Sequence, residues 1–243
     1  MMKVIETAVI SKAFQPRDVG KDTRIVLLPL DGSKETIYTF PGDVYFTHVV
    51  NTYENGSAVI FDVVAYDSNP FEGPAVLSNY RNKTLRDQFS PSQVLRWVLH
   101  TAGPRVGKMD STPLAAPGRN TDFTQINRKF GAAAYCLYWA VEWRHDDVSY
   151  ASMAIVRQNV CNGQRSYWHR ANAYPSEPTF IPRKGGAAED DGVLIFSVLN
   201  GTSGTSTLME LDAASMEPLS ETSLGGAKVG FTTHGEWYEG LLQ

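Results

Sequence analysis

Five histidines, His48, His100, His145, His169 and His234, are the side chains of this sequence best suited to acid–base or metal chemistry. Imidazole changes charge near neutrality and is also the commonest metal ligand. Three of them read as structural. His100 opens a loop rich in Pro and Gly, His145 sits in the charged turn RHDD, and His169 lies among Arg165, Trp168 and Arg170, a cationic setting that disfavours a bound cation. His48 differs because it lies inside a strand-like run, YFTHVVNTYE, with Asn51 and Glu54 further along it. His234 differs because Gly235 follows it in VGFTTHGEWY, where the missing side chain lets another group approach closely. These two are too far apart in sequence to form a local pair such as His-x-x-x-His on a helix. A metal they share must be assembled by the fold.

The acidic candidates are Asp122 in TDFTQIN, Glu177 in YPSEPTFIPR and the run Glu189-Asp190-Asp191. Glu177 stands between Pro175 and Pro178 with Tyr174 and Phe180 close by, a rigid, apolar frame in which a carboxylate needs a partner. That partner is either a group in a functional site or the backbone N–H groups of a turn. The run at 189–191, followed by Gly192, reads as a solvated turn before a buried strand rather than a metal site or a glycosidase pair. No phosphate-binding Gly-rich loop ending in Lys-Ser/Thr, no His-Glu-x-x-His, no paired Cys-x-x-Cys and no Gly-x-Ser-x-Gly elbow is present. Acid–base or nucleophilic residues for catalysis are therefore not assigned.

The elements that must position these groups are short and β-rich. The chain has 243 residues, 42% hydrophobic and 20% charged, an ordinary globular composition. Its net charge of −4 gives no electrostatic grip on nucleic acid, so no nucleic-acid partner is expected. RIVLLPL and ETIYTF flank Asp31-Gly32, VYFTHVVNTYE and SAVIFDVVAY flank Asn55-Gly56, and GVLIFSVLN and STLMELD bracket a Gly-Thr-Ser-Gly loop, three hairpins in all. FGAAAYCLYWAVEW (130–143) and VSYASMAIVR (148–157) add further strands. Between Asp67 and Gly118 the composition shifts to Pro, Gly, Ser and charge. With a helix over 77–87 and a strand over 94–99, this stretch is expected to be an elaborated connection across one face. No long 3.6-residue periodicity appears, and the class is all-β: sandwich, barrel or propeller. The longest apolar run, AAAYCLYWAV, is about half the length needed to span a bilayer. Only Cys136 and Cys161 are present, the N-terminal residues do not read as a secretory signal, and a reducing, cytoplasmic setting with no bridge is the expectation.

Taken together, YFTHVVNTYE, TDFTQINRKFG, YPSEPTFIPR followed by EDDGVLIFSVLN, and GFTTHGEWY occur in the order and approximate spacing of the carotenoid cleavage oxygenases. The resemblance runs from about Thr23 to Tyr238. It implies a seven-bladed β-propeller, of which residues 1–243 would be the C-terminal blades with 67–118 as a loop and helix insertion. It also implies a ferrous ion on the axis, held by four histidines with no carboxylate bound directly. By position His48 matches the third of those ligands and His234 the fourth; Glu177 matches the glutamate that orients the last histidine, and Asp122 falls where the glutamate orienting the third usually stands. Imidazole suits iron, and a carboxylate on the far ring nitrogen fixes the tautomer and raises ligand basicity.

Three departures from that pattern carry consequences. No histidine precedes His48, so the chain looks like the C-terminal half of such an enzyme. Asp122 is one methylene shorter than glutamate. Thr47 and Thr233 stand before the ligands where phenylalanine is common, which makes the surroundings more polar. The implied activity is Fe(II)-dependent oxidative cleavage of a conjugated C=C bond of a carotenoid or apocarotenoid by O2, giving two carbonyl products. With two of four imidazoles, this chain alone is expected to bind iron weakly and to be weakly active or inactive. The competing expectation is a non-catalytic propeller portion that binds a hydrophobic ligand or a partner chain. Exposed blade edges would favour self-association, and the polyene partner would bring the protein to a membrane periphery.

Overall fold

The structure, a computed structural model, describes residues 22–42, 44–70, 82–86, 91–145 and 152–238. Among them β-strands dominate, and every strand pairing is antiparallel. Strands β1 (Thr23–Leu27) and β2 (Thr36–Phe40) form a two-stranded hairpin. β1 ends short of the run's last residues because Pro29 has no N–H to give a ladder, and Gly32 turns the chain at φ 77°.

Three larger sheets follow. In the first, β3 (Tyr45–Asn55), β4 (Ala58–Tyr66), β5 (Gln93–His100) and β6 (Met109–Pro113) pair in chain order. The Asn55-Gly56 turn closes β3 onto β4, with Gly56 at φ 59°. The stretch 67–118, expected to be an elaborated connection with one strand over 94–99, supplies that strand as β5 and a second, β6, to this sheet. Of the helix expected over 77–87, the described residues hold the single turn Lys83–Arg86, and the rest lies outside them. In the second sheet, β7 (Thr121–Gln125), β8 (Leu137–Glu142), β9 (Ala154–Asn159) and β10 (Arg165–His169) again pair in sequence. The strand expected over 148–157 begins outside the described residues. In the third, β11 (Ala173–Pro175) and β12 (Thr179–Pro182) lie end to end along the same edge of β13 (Gly192–Asn200), followed by β14 (Ser206–Asp212) and β15 (Pro218–Ser223).

The sheets stack face to face, and β8 shows how. Every residue of Leu-Tyr-Trp-Ala-Val-Glu is buried, which a strand achieves only when both faces are covered. Leu137, Trp139 and Val141 enter one core with Phe180, Leu194, Phe196 and Met209 of the third sheet. Tyr138 and Ala140 point the other way, into a core with Val50, Ile60, Val64 and Val94 of the first. Trp139 stacks on Phe180 with ring centroids 4.7 Å apart and donates its indole N–H to the Ala213 carbonyl at 3.0 Å.

Buried charges pin the same interfaces. Asp62, fully buried on β4, accepts two hydrogen bonds from Arg96 directly across the register on β5, at 2.8 and 2.7 Å, and a third from the Tyr135 hydroxyl at 2.7 Å. The Glu189 carboxylate accepts the backbone N–H groups of Cys136 and Leu137 at the start of β8, while Asp190 pairs with Arg157 and Asp191 with Arg183. The acidic run is therefore not a solvated turn but a clamp between sheets. Cys136 and Cys161, expected to stay free thiols, are joined by a disulfide at one end of the β8–β9 pair. The hairpin brings the two residues within bridging reach, with Cα atoms 5.2 Å apart, a proximity that their separation in sequence hides.

Candidate metal centre

β3 and β7, the first strands of two large sheets, carry His48 and Asp122, and Glu177 lies between β11 and β12 at the edge of the third; each lies at a break in regular pairing. β3 slips register between Phe46 and His48 and again between Val49 and Asn51. In a regular strand Thr47 and His48 would face opposite sides; here both reach Asp122, which is the re-aiming a bulge provides. β7 slips register after Asp122, where Phe123 takes a positive φ of 55°. Glu177 occupies the gap between β11 and β12 that its two flanking prolines enforce. His234 sits on the extended C-terminal segment at φ 61°, in the left-handed region. A Cβ on Gly235 would lie 2.7 Å from the Thr179 hydroxyl, so a larger residue would force one of the two to shift, in line with the close approach read from its sequence position.

These breaks bring the residues together. The rings of His48 and His234 are neighbours, with centroids 5.1 Å apart. For two imidazoles on adjacent corners of one metal, bond lengths of about 2.1 Å place the centroids roughly 4.5–5.3 Å apart, so the spacing fits a shared ion. Asp122 accepts from His48 Nδ1 at 2.7 Å, and this bond, outweighing burial, raises the pKa of the imidazole. The shorter aspartate thus reaches His48 directly, at the point where β7 leaves regular pairing. Asp122 also accepts from the Tyr66 hydroxyl at 2.9 Å, from the Thr47 hydroxyl and from the Phe123 N–H. Burial, and next the charge of Asp122, push the Tyr66 pKa far up, which keeps it a neutral donor.

Glu177 acts on His234 differently. Its side chain is 4% exposed, and Oε2 accepts the backbone N–H groups of both His234 and Gly235, while Nδ1 of the ring stands 3.6 Å away. It therefore holds the turn that presents the imidazole, uniting the two partners foreseen for it, a site residue and a set of backbone donors. Gln125 donates to the other carboxylate oxygen at 3.0 Å. Phe123 packs against both histidine rings, at 5.1 and 6.1 Å, and joins Phe231 and Trp143 in an aromatic wall beside them. The His234 side chain is 65% exposed.

The remaining histidines are structural, as expected. His100 bonds Asp110 between β5 and β6, His169 bonds the Met153 carbonyl, and His145 packs on Tyr167 and His169. Asn51 holds the 130–133 loop through three hydrogen bonds with backbone groups and accepts a fourth from the Thr52 N–H, and Glu54 is exposed. Tyr66, Gln125 and Phe123 were not singled out from the sequence. Gln125 and Phe123 flank Asp122 in the same motif, whereas nothing local to Tyr66 indicates that it faces a carboxylate on another sheet. Among the described residues, no cluster of three or more His, Cys, Asp or Glu side chains is placed to hold a metal. The candidate centre is two imidazoles, each with a carboxylate behind it.

Comparison with known proteins gives a consistent picture. The family model described as retinal pigment epithelial membrane protein matches residues 7–239. Among curated relatives, the apocarotenoid-15,15'-oxygenase of Synechocystis is 26% identical over 89% of this chain and 43% of its own length. Carotenoid cleavage dioxygenase 8 of Arabidopsis thaliana is 28% identical over 87% and 38%, and the β,β-carotene 15,15'-dioxygenase of Rattus norvegicus 27% over 77% and 36%. The chain thus spans about two fifths of the length of the curated relatives it matches. The fold of a cobalt-substituted apocarotenoid oxygenase from Synechocystis superposes with a TM-score of 0.72 over 86% of this chain and 42% of that one, at 23% identity. With a family match across nearly its whole length, the chain belongs to the carotenoid cleavage oxygenases, the family of the retinal pigment epithelial membrane protein.

Proposed function

We propose that this chain is the part of an Fe(II)-dependent dioxygenase that carries two of its metal ligands, His48 and His234, and that the complete site cleaves a conjugated C=C bond of a carotenoid or apocarotenoid. The observation that carries the reading is the 5.1 Å spacing of the two imidazoles, each backed by a buried carboxylate. Two neutral nitrogen ligands with carboxylates behind them suit a borderline divalent ion such as Fe2+. Iron, when bound, supplies redox chemistry with O2 at a site from which two carbonyl products arise.

The chain's own residues do the rest. Asp122 fixes the His48 tautomer so that Nε2 is left for the ion. Glu177 sets the turn that presents His234. Phe123, Phe231 and Trp143 offer an apolar wall on which a polyene can lie and from which water is excluded. In this reading the three large sheets are blades of a seven-bladed propeller, whose first strands face the axis. Two imidazoles leave most of a coordination sphere to water, so the chain by itself holds iron weakly and turns over little or no substrate. The adjacency of the two rings supports this reading over a non-catalytic module that binds only a hydrophobic ligand or partner.

The test is a chimera in which this chain replaces the matched segment of the Synechocystis apocarotenoid-15,15'-oxygenase. Chromatography should then show cleavage of an apocarotenoid that depends on iron and is lost in His48→Ala. A folded, iron-loaded chimera that leaves the polyene intact would overturn the reading.

A further inference from the structure

The hydrogen bonds of the site converge on Asp122, which is 5% exposed. Its Oδ1 takes the His48 ring at 2.7 Å and the Phe123 N–H at 2.9 Å; its Oδ2 takes the Tyr66 hydroxyl at 2.9 Å; the Thr47 hydroxyl lies 3.1 and 3.0 Å from the two oxygens. A carboxylate offers about four acceptor directions, and these four donors fill them. The terminal torsion of an aspartate is otherwise broad, so an unclamped carboxylate turns easily away from its partner.

We infer that Tyr66 and Thr47 are positioning residues that lock the Asp122 carboxylate, so that Oδ1 keeps the proton of His48 on Nδ1 and leaves Nε2 unprotonated. The two clamps come from different elements. Tyr66 is the last residue of β4, directly across the ladder from Tyr45. Thr47 reaches the same carboxylate only because β3 is bulged there. Removing one hydroxyl leaves the other and the Phe123 N–H in place; removing both frees Oδ2 entirely. The effect travels through Asp122 to the histidine tautomer, and neither hydroxyl needs to touch an ion or a substrate.

This assignment uses the metal reading above only for what Nε2 is kept free to do, and its test separates the two. In metal-free chain labelled with ¹⁵N-histidine, with His48 assigned by His48→Gln, the wild type should show the Nδ1–H tautomer. Tyr66→Phe combined with Thr47→Val should move His48 toward Nε2–H and weaken Co2+ binding about tenfold while the melting temperature stays near that of the wild type. Tyr66→Phe combined with Thr47→Ser, which restores one hydroxyl, should recover most of both. A double variant that keeps the wild-type tautomer would overturn the inference, as would a serine variant no better than the valine one. A wild-type chain that takes up no Co2+ would overturn the metal reading alone, because the tautomer is read without metal.

Discussion

Asp122 and Glu177 do different work at neighbouring positions, and substitutions should separate them. Asp122→Asn removes the carboxylate charge behind the His48 ring and puts an amide NH2 group among its donors, and Co2+ affinity measured by titration should fall about 10- to 100-fold. Gly235→Ala drives a Cβ into the Thr179 hydroxyl and shifts the turn that Glu177 holds. It should weaken the same ion while leaving the Nδ1–H signal of His48 unchanged. Residue types alone singled out His48 and His234, and only the resemblance to the oxygenases grouped them with Asp122 and Glu177; the structure brings these four side chains together. Illegible were the hydroxyl donors. Thr47 stood out only as a small polar residue where phenylalanine is common, and its pairing with the shortened carboxylate depends on a bulge that no local pattern announces.

At the level of elements, turn chemistry and alternation located the strands, while tertiary contacts decided what strands alone could not. The run 130–143 is apolar but for Glu142, yet its first half forms a turn and loop because Asn51 and the Glu189 carboxylate take up its backbone groups before β8 begins. The disulfide was missed for the same reason: compartment arguments from two cysteines say nothing of a hairpin that sets them side by side. Closing a loop of 25 residues, it should contribute about 3 kcal/mol, so Cys136→Ser with Cys161→Ser should lower denaturant stability by that order. Trp139→Ala removes the ring between two sheets and the hydrogen bond to Ala213, and the cost in the same unfolding measurement should be about 3–5 kcal/mol. If that substitution cost no more than a surface change, the stacked-sheet core would be wrong.

For the molecule as a whole, three stacked antiparallel sheets bring together β3, β7 and the gap between β11 and β12, and the candidate centre lies where they meet. Apolar side chains remain exposed beyond it, among them Leu28, Phe46 and Val49 on the N-terminal hairpin and β3. Light scattering should therefore show association that grows with concentration, whereas a monodisperse monomer at all concentrations would mean that these faces need no cover. The claim on which the functional account rests is that two distant imidazoles share one ion. Anaerobic Fe2+ titration of the wild type, His48→Ala, His234→Ala and the double variant measures this directly. The account predicts one weakly held Fe2+ per chain, removed by dialysis, lost in either single variant and no further diminished in the double. A single variant that binds Fe2+ as the wild type does would contradict it.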